Sequence, residues 1–170
     1  MEDLPDVVLL KIAEYLSPEI CARLSMTCKR FHKILPKYVC FRGDDFKISG
    51  PFDGHWAPES YFDGPKLRGK VKSFRASVKW KDQGWGNRKG RLMVKLVRLD
   101  SGKKKVIAEN KNLFGIADHE WAESSCLFLN DPVVKLAKRG DFYSFERNAG
   151  GGGGHSLHVE KFTVLLEHPS

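Results

Sequence analysis

Beyond Gly69 the sequence reads as strand after strand, and that leaves few architectures open. In residues 72–80, Phe74, Ala76, Val78 and Trp80 alternate with Arg75, Ser77 and Lys79, which gives one apolar face and one wet face. Residues 91–99 follow, then 104–110 after the turn residues Asp100, Ser101 and Gly102. Residues 124–130, 141–147 and 157–168 are each apolar enough for a strand, the last with Phe162, Val164 and Leu166 on one face. Only residues 135–138 read as a short helix. Many short strands separated by turns, with no long helix between them, predict an antiparallel β-sandwich of the jelly-roll or galactose-binding-like kind.

The N-terminal forty residues obey a different period. Leu9, Leu10, Ile12, Ala13 and Leu16 fall at helical spacing after Pro5 and Asp6, residue types that suit a first turn. The spacing predicts one helix over residues 5–16. Ser17, Pro18 and Glu19 make a second N-terminus, and Cys21, Leu24, Cys28, Phe31 and Leu35 continue at steps of three and four. A second helix of four to five turns is expected. Two such helices bury too little surface to stand alone, so they need the rest of the chain or a second protein to pack against.

The spelling of this segment, Leu4-Pro5-Asp6, Leu9-Leu10-Lys11-Ile12, Tyr15-Leu16, Leu24-Ser25 and Cys28-Lys29-Arg30-Phe31, resembles an F-box in order and spacing. The resemblance covers about residues 3–41 and implies a three-helix unit that binds the Skp-type adaptor of a cullin-RING ubiquitin ligase, the rest of the chain selecting the substrate. Position by position it implies that Leu4 and Pro5 touch the adaptor, and that Leu9, Ile12, Leu16, Leu24, Cys28 and Phe31 divide between adaptor contact and the unit's own core. Where many F-boxes end in a tryptophan-containing turn, this chain has Lys37-Tyr38-Val39-Cys40-Phe41. The implied fold class is α+β, with an F-box over 1–41, an ordered linker over 42–65 and a sandwich over 66–170. Pro51, Pro58 and Pro65 mark the linker, while Phe52, Trp56, Tyr61 and Phe62 are too aromatic for a free spacer and are expected to lie against the next domain.

No signal-peptide pattern and no apolar run of membrane-spanning length occurs, so a cytoplasmic or nuclear protein is expected. The four cysteines, Cys21, Cys28, Cys40 and Cys126, form no CxxC pair and read as buried thiols; no metal and no cofactor is expected. Residues 1–40 hold six basic and five acidic side chains, so +7 of the formal charge of +8 lies beyond them. Spread along a sandwich, that charge is weak support for nucleic-acid binding.

Sandwich domains carry binding sites in their end loops, and three loops stand out. Residues 81–90 place Trp85 between glycines beside Asn87 and Arg88. Residues 114–124 carry His119 and Trp121, and residues 148–158 carry five consecutive glycines before His155 and His158. The spacing of these histidines assembles no catalytic or metal constellation, so no enzymatic activity is expected. The layout is similar to that of glycoprotein-reading and phloem-lectin F-box proteins, which implies a protein or glycoprotein substrate, with a lectin-like module outside any ligase as the alternative. Aromatic rings and amides suit sugar faces and hydroxyls.

Overall fold

The computed structural model describes residues 4–50 and 58–169. Its N-terminal part is helical: α1 (Asp6–Ala13), α2 (Pro18–Ser25) and α3 (Lys29–Ile34). Strands follow: β1 (Lys37–Arg42), β2 (Phe46–Ser49), β3 (Glu59–Asp63), β4 (Ser73–Lys81), β5 (Arg91–Asp100), β6 (Lys103–Asn110) and β7 (Ala122–Phe128). A short α4 (Pro132–Lys135) precedes β8 (Phe142–Asn148) and β9 (Ser156–His168).

The strands make two antiparallel sheets, a sandwich with few helices. One sheet runs β1-β9-β4-β7, with β2 also on β9; the other runs β3-β8-β5-β6. The long β9 is edged in succession by β2, on residues 156–159, and by β1, on residues 163–168. Facing rows of Phe74 and Trp80 from β4, Phe162 from β9, Leu92 and Leu96 from β5, and Tyr143 and Phe145 from β8 fill the space between the sheets, each at most 1% exposed. The ring of Phe145 lies 5.3 Å from that of Phe162, and Phe74 lies 5.1 Å from Tyr143, edge to face in both cases, which suits the ring quadrupoles. The β5–β6 hairpin turns at Ser101 (φ 48°) and Gly102 (φ 81°), a two-residue turn whose positive φ values match the twist of the strands it joins.

β9 changes phase midway. Leu157 and Val159 point into the core, and so do Phe162, Val164 and Leu166, which requires one extra residue. That residue sits at a bulge: Ser77 pairs with Thr163 while Lys79 pairs with Glu160. Lys161 there adopts a left-handed φ of 55°, a conformation that costs a residue with a Cβ about 1 kcal/mol or more.

Several expectations are corrected. The second helix is not continuous. Ser25 Oγ donates to Ala22 O and Thr27 Oγ1 to Leu24 O, each at 2.7 Å, so hydroxyls satisfy the carbonyls that a longer helix would have used. Cys28 then turns extended and caps α3, its Sγ accepting from Phe31 N at 3.5 Å. The third helix of the implied unit is α3, cut from the expected long second helix, and residues 37–41 belong to β1, with Val39 and Phe41 packed on the sandwich core. The segment 42–65, expected as a linker, supplies β2 and β3, with Tyr61 and Phe62 packed against Phe46, Phe145 and Phe162. Phe52 and Trp56 lie outside the described residues. The short helix falls at Pro132–Lys135 rather than 135–138, since Asp131 caps it and Val133 and Val134 seal the core. Cys28 and Cys40 are exposed rather than buried.

Only Leu35 and Pro36 separate α3 from β1. The helices share a small core of Ala13, Cys21 and Leu35, joined by Leu16, Leu24, Phe31 and Ile34 and completed by Tyr38 of β1.

Candidate functional site

On the helical segment, Leu9 and Ala13 point inward one turn apart, and the buried Cys21 donates a weak bond from Sγ to Ala13 O at 3.7 Å. α1 is shorter than its periodicity suggests because Tyr15 N and Leu16 N bond back three residues, to Ile12 O and Ala13 O, closing a tight turn before Ser17 caps α2 through Ile20 N. Arg30 of α3 ties down the start of α1 and the chain just before it: its Nε donates to Asp6 Oδ1 at 2.8 Å and its Nη2 donates to Leu4 O.

Of the residues expected to meet an adaptor, Leu4, Pro5, Ile12 and Cys28 are exposed, Leu16, Leu24 and Phe31 are half-buried, and Leu9 is buried. Val7, Val8, Leu10, Tyr15, Ile20 and Met26, which were not among those expected contacts, are exposed as well. For Val7, Val8 and Leu10 the sequence signal was an apolar fraction on α1 larger than one buried stripe requires. Val7 at 72% and Tyr15 at 82% exposure mean that the helices present an apolar surface outward as well as inward.

At the far end of the sandwich the three loops meet. Asp82, 1% exposed, organises them: its Oδ1 accepts from Gly84 N at 2.8 Å and lies 2.8 Å from His119 Nδ1, while its backbone N–H donates to Asp118 O. Gln83 donates from Nε2 to Trp85 O and Asn87 O and accepts from Ser156 N, which ties the tryptophan loop to β9. Arg88 pairs with Asp118, and Lys89 Nζ donates to Gly151 O at 2.9 Å. Gly154, at φ 89°, lies under the Trp85 ring; a Cβ there would come within 3.1 Å of it. Trp85 is thus braced along one edge and 66% exposed on the rest.

Trp121 and His158 stand apart from this group, on the outer face of the five-stranded sheet. Their rings meet edge to face at 6.3 Å, and the Lys79 and Lys81 ammonium groups lie 5.0 and 5.2 Å from the centre of the Trp121 ring. Burial, then the charges of Lys47 and Lys81, hold the pKa of His158 below the ordinary histidine value. His155 is half-buried with its Nδ1 unpartnered among the described residues. The loops therefore bring together Trp85, Asn87, Arg88 and His119, and leave Trp121 and His158 in a separate cationic cluster. Among the described residues no group of His, Cys, Asp and Glu is placed to hold a metal, and no helix is long and apolar enough to cross a membrane.

This geometry defines a sandwich with an outward-facing apolar helical segment at its N-terminal side. Residues 1–39 match the family model described as F-box-like. No curated protein sequence matches the chain. Among solved structures, that of the infectious bursal disease virus Gx strain superposes with a TM-score of 0.50 at 10% identity, covering 78% of this chain and 32% of the viral one. This supports the sandwich fold alone, and this chain spans about a third of that one. A family 16 carbohydrate-binding module superposes with a TM-score of 0.43 at 14% identity, over 71% of this chain and 74% of its own.

Proposed function

We propose that this chain is an adaptor: its helical segment docks a Skp-type protein within a cullin-RING ligase, and its sandwich holds a protein substrate for ubiquitination in the cytoplasm or nucleus. The chain itself performs no chemistry on this reading. The observation that carries it is the exposed apolar surface of Leu4, Val7, Leu10, Ile12, Tyr15 and Ile20, all within the residues that match the F-box-like family. Apolar side chains this exposed, on a segment with so small a core, gain most from a partner that covers them.

Calorimetric titration of the full chain with a Skp-type adaptor tests it. Binding that is lost in a Leu4→Ala, Pro5→Ala, Ile12→Ala triple variant supports the reading; an adaptor that does not bind, or binds the variant equally well, removes it. A second reading, a lectin-like module, is favoured by the braced and exposed Trp85 beside Asn87 and Arg88. A glycan array that gives no signal, or an equal signal with Trp85→Ala, removes that one.

A further inference from the structure

The outer face of the five-stranded sheet carries a groove that neither reading uses. Strand register orders it in rows. Arg42, Thr163, Ser77 and Ser125 stand side by side across β1, β9, β4 and β7; the next row toward the helices is Cys40, Leu165, Arg75 and Leu127. A hollow of about 500 Å³ is lined by the hydroxyl row together with Lys79, Glu123 and Lys161. A second, of about 700 Å³, shares Ser77, Ser125 and Thr163 with the first and continues past Arg75 to Pro18 and Glu19 of α2. The rows from Lys79 to Arg75 span four residues of strand, ~13 Å at ~3.3 Å per residue, and α2 extends the groove beyond them.

Charge selects the occupant. Arg42, Lys47, Arg75, Lys79, Lys81 and Lys161 project from this face or its rim, against Glu123, Glu160 and Glu19. Lys79 is held by Glu160 at 3.2 Å, whereas Arg42, Arg75 and Lys161 make no ion pair among the described residues; Asp45 accepts from the backbone N–H of Lys161, not from its ammonium. The strained bulge is what puts Lys161 on this face: with φ 55° it adds a cation beside Arg42 while Phe162 keeps its place in the core.

The floor offers serine and threonine hydroxyls and no ring for a sugar face, and the ring at the rim, Trp121, is already covered by Lys79 and Lys81. The cations are strung along the groove rather than gathered at a point, which suits several spaced carboxylates better than one phosphoryl group.

We infer that this groove binds an extended acidic segment of a partner protein, its Asp or Glu side chains meeting Arg42, Lys161 and Arg75 in turn while the hydroxyl row bonds its backbone. That the partner is the substrate of a ligase rests on the adaptor reading; the chemistry of the groove does not.

The test is fluorescence anisotropy of the full chain with a labelled decapeptide of alternating Glu and Ser at low salt. Binding is expected, weakened about tenfold or more by Arg42→Glu with Lys161→Glu, and weakened far less by Lys103→Glu with Lys105→Glu, an equal charge change at the β5–β6 hairpin of the other sheet. Ser77→Tyr, at an exposed strand position, fills the groove without altering charge and is expected to abolish binding at an unchanged melting temperature. The inference is overturned if both charge-reversed pairs weaken binding equally, if Ser77→Tyr binds normally, or if a Lys-Ser decapeptide binds as well as the acidic one. It is also overturned if an oligothymidylate displaces the peptide at much lower concentration, which would assign the face to nucleic acid. Titrating the same variants with the Skp-type adaptor separates the two claims: peptide binding without adaptor binding removes the ligase reading and leaves the groove standing.

Discussion

The helical segment and the sandwich bury apolar side chains to very different extents. In the sandwich, Phe74, Trp80, Tyr143, Phe145 and Phe162 vanish between two sheets. In the helices, Ala13, Cys21 and Leu35 are the buried core, and Val7, Tyr15 and Met26 remain more than 70% exposed. Free energy from burial scales with apolar area removed from water, so the sandwich accounts for its own order. The helical segment borrows Tyr38 from β1 and leaves Val7, Leu10, Tyr15 and Met26 exposed on its outer side. The same residue types thus do opposite work in the two regions.

The largest expected effect that sharpens this contrast is on stability. Phe162→Ala is expected to cost ~3–5 kcal/mol by leaving a cavity between the sheets. Leu35→Ala is expected to leave the main denaturant transition, followed by circular dichroism, within about 0.5 kcal/mol and to speed proteolysis of the first forty residues instead. One shared transition, lowered by both variants, would break the comparison.

Thiol labelling gives the next effect. Cys28 and Cys40 are exposed, whereas burial pushes the Cys126 thiol up to about 11 from 9.0. At neutral pH Cys126, partly buried and with its thiol held protonated, is expected to react more slowly than the exposed Cys28 by roughly tenfold or more. Cys21 is raised as well, chiefly by burial, and is 0% exposed, yet it sits in the small core of the helical segment, so opening of that segment should let it label ahead of Cys126. Labelling in the reverse order would mean that the helices are held as firmly as the sheets.

The smallest effect is on pH dependence. His158 faces Lys47 of β2, Lys81 of β4, the edge of Trp121 and the Ser156 hydroxyl, and its folded pKa is depressed. The unfolded chain therefore binds its proton first, so His158 favours the folded state above pH 6.5 and that contribution is lost as pH falls below this value. Thermal melts from pH 7.5 to 5.5 should show the decline in the wild-type chain and a flatter one in His158→Gln.

Much of the sandwich was legible because β4 alternates cleanly and β5 and β6 flank an obvious turn. β1, β2 and β3 were not legible. Each is short and set among prolines and glycines, and their partners are β9 and β8, roughly a hundred residues away, a distance that no local period reports. The break in the second helix was written at Ser25 and Thr27, but cap-forming hydroxyls inside an apolar period read as helix until their bonds are seen. At the candidate site the loop residues were legible as Trp85 and its neighbours. The hydroxyl row was not, since Ser77, Ser125 and Thr163 come from three strands and look like ordinary solvent-facing positions one at a time.

The joint of Leu35 and Pro36 between α3 and β1 leaves no slack between the two regions. On the adaptor reading the chain acts as a bracket rather than a tether: the bound target stands at a fixed bearing from the ligase, and the lysine that receives ubiquitin must be reached through the target's own flexibility. Lengthening that joint with glycines and serines would widen the circle of lysines within reach, at the cost of a lower effective concentration at each.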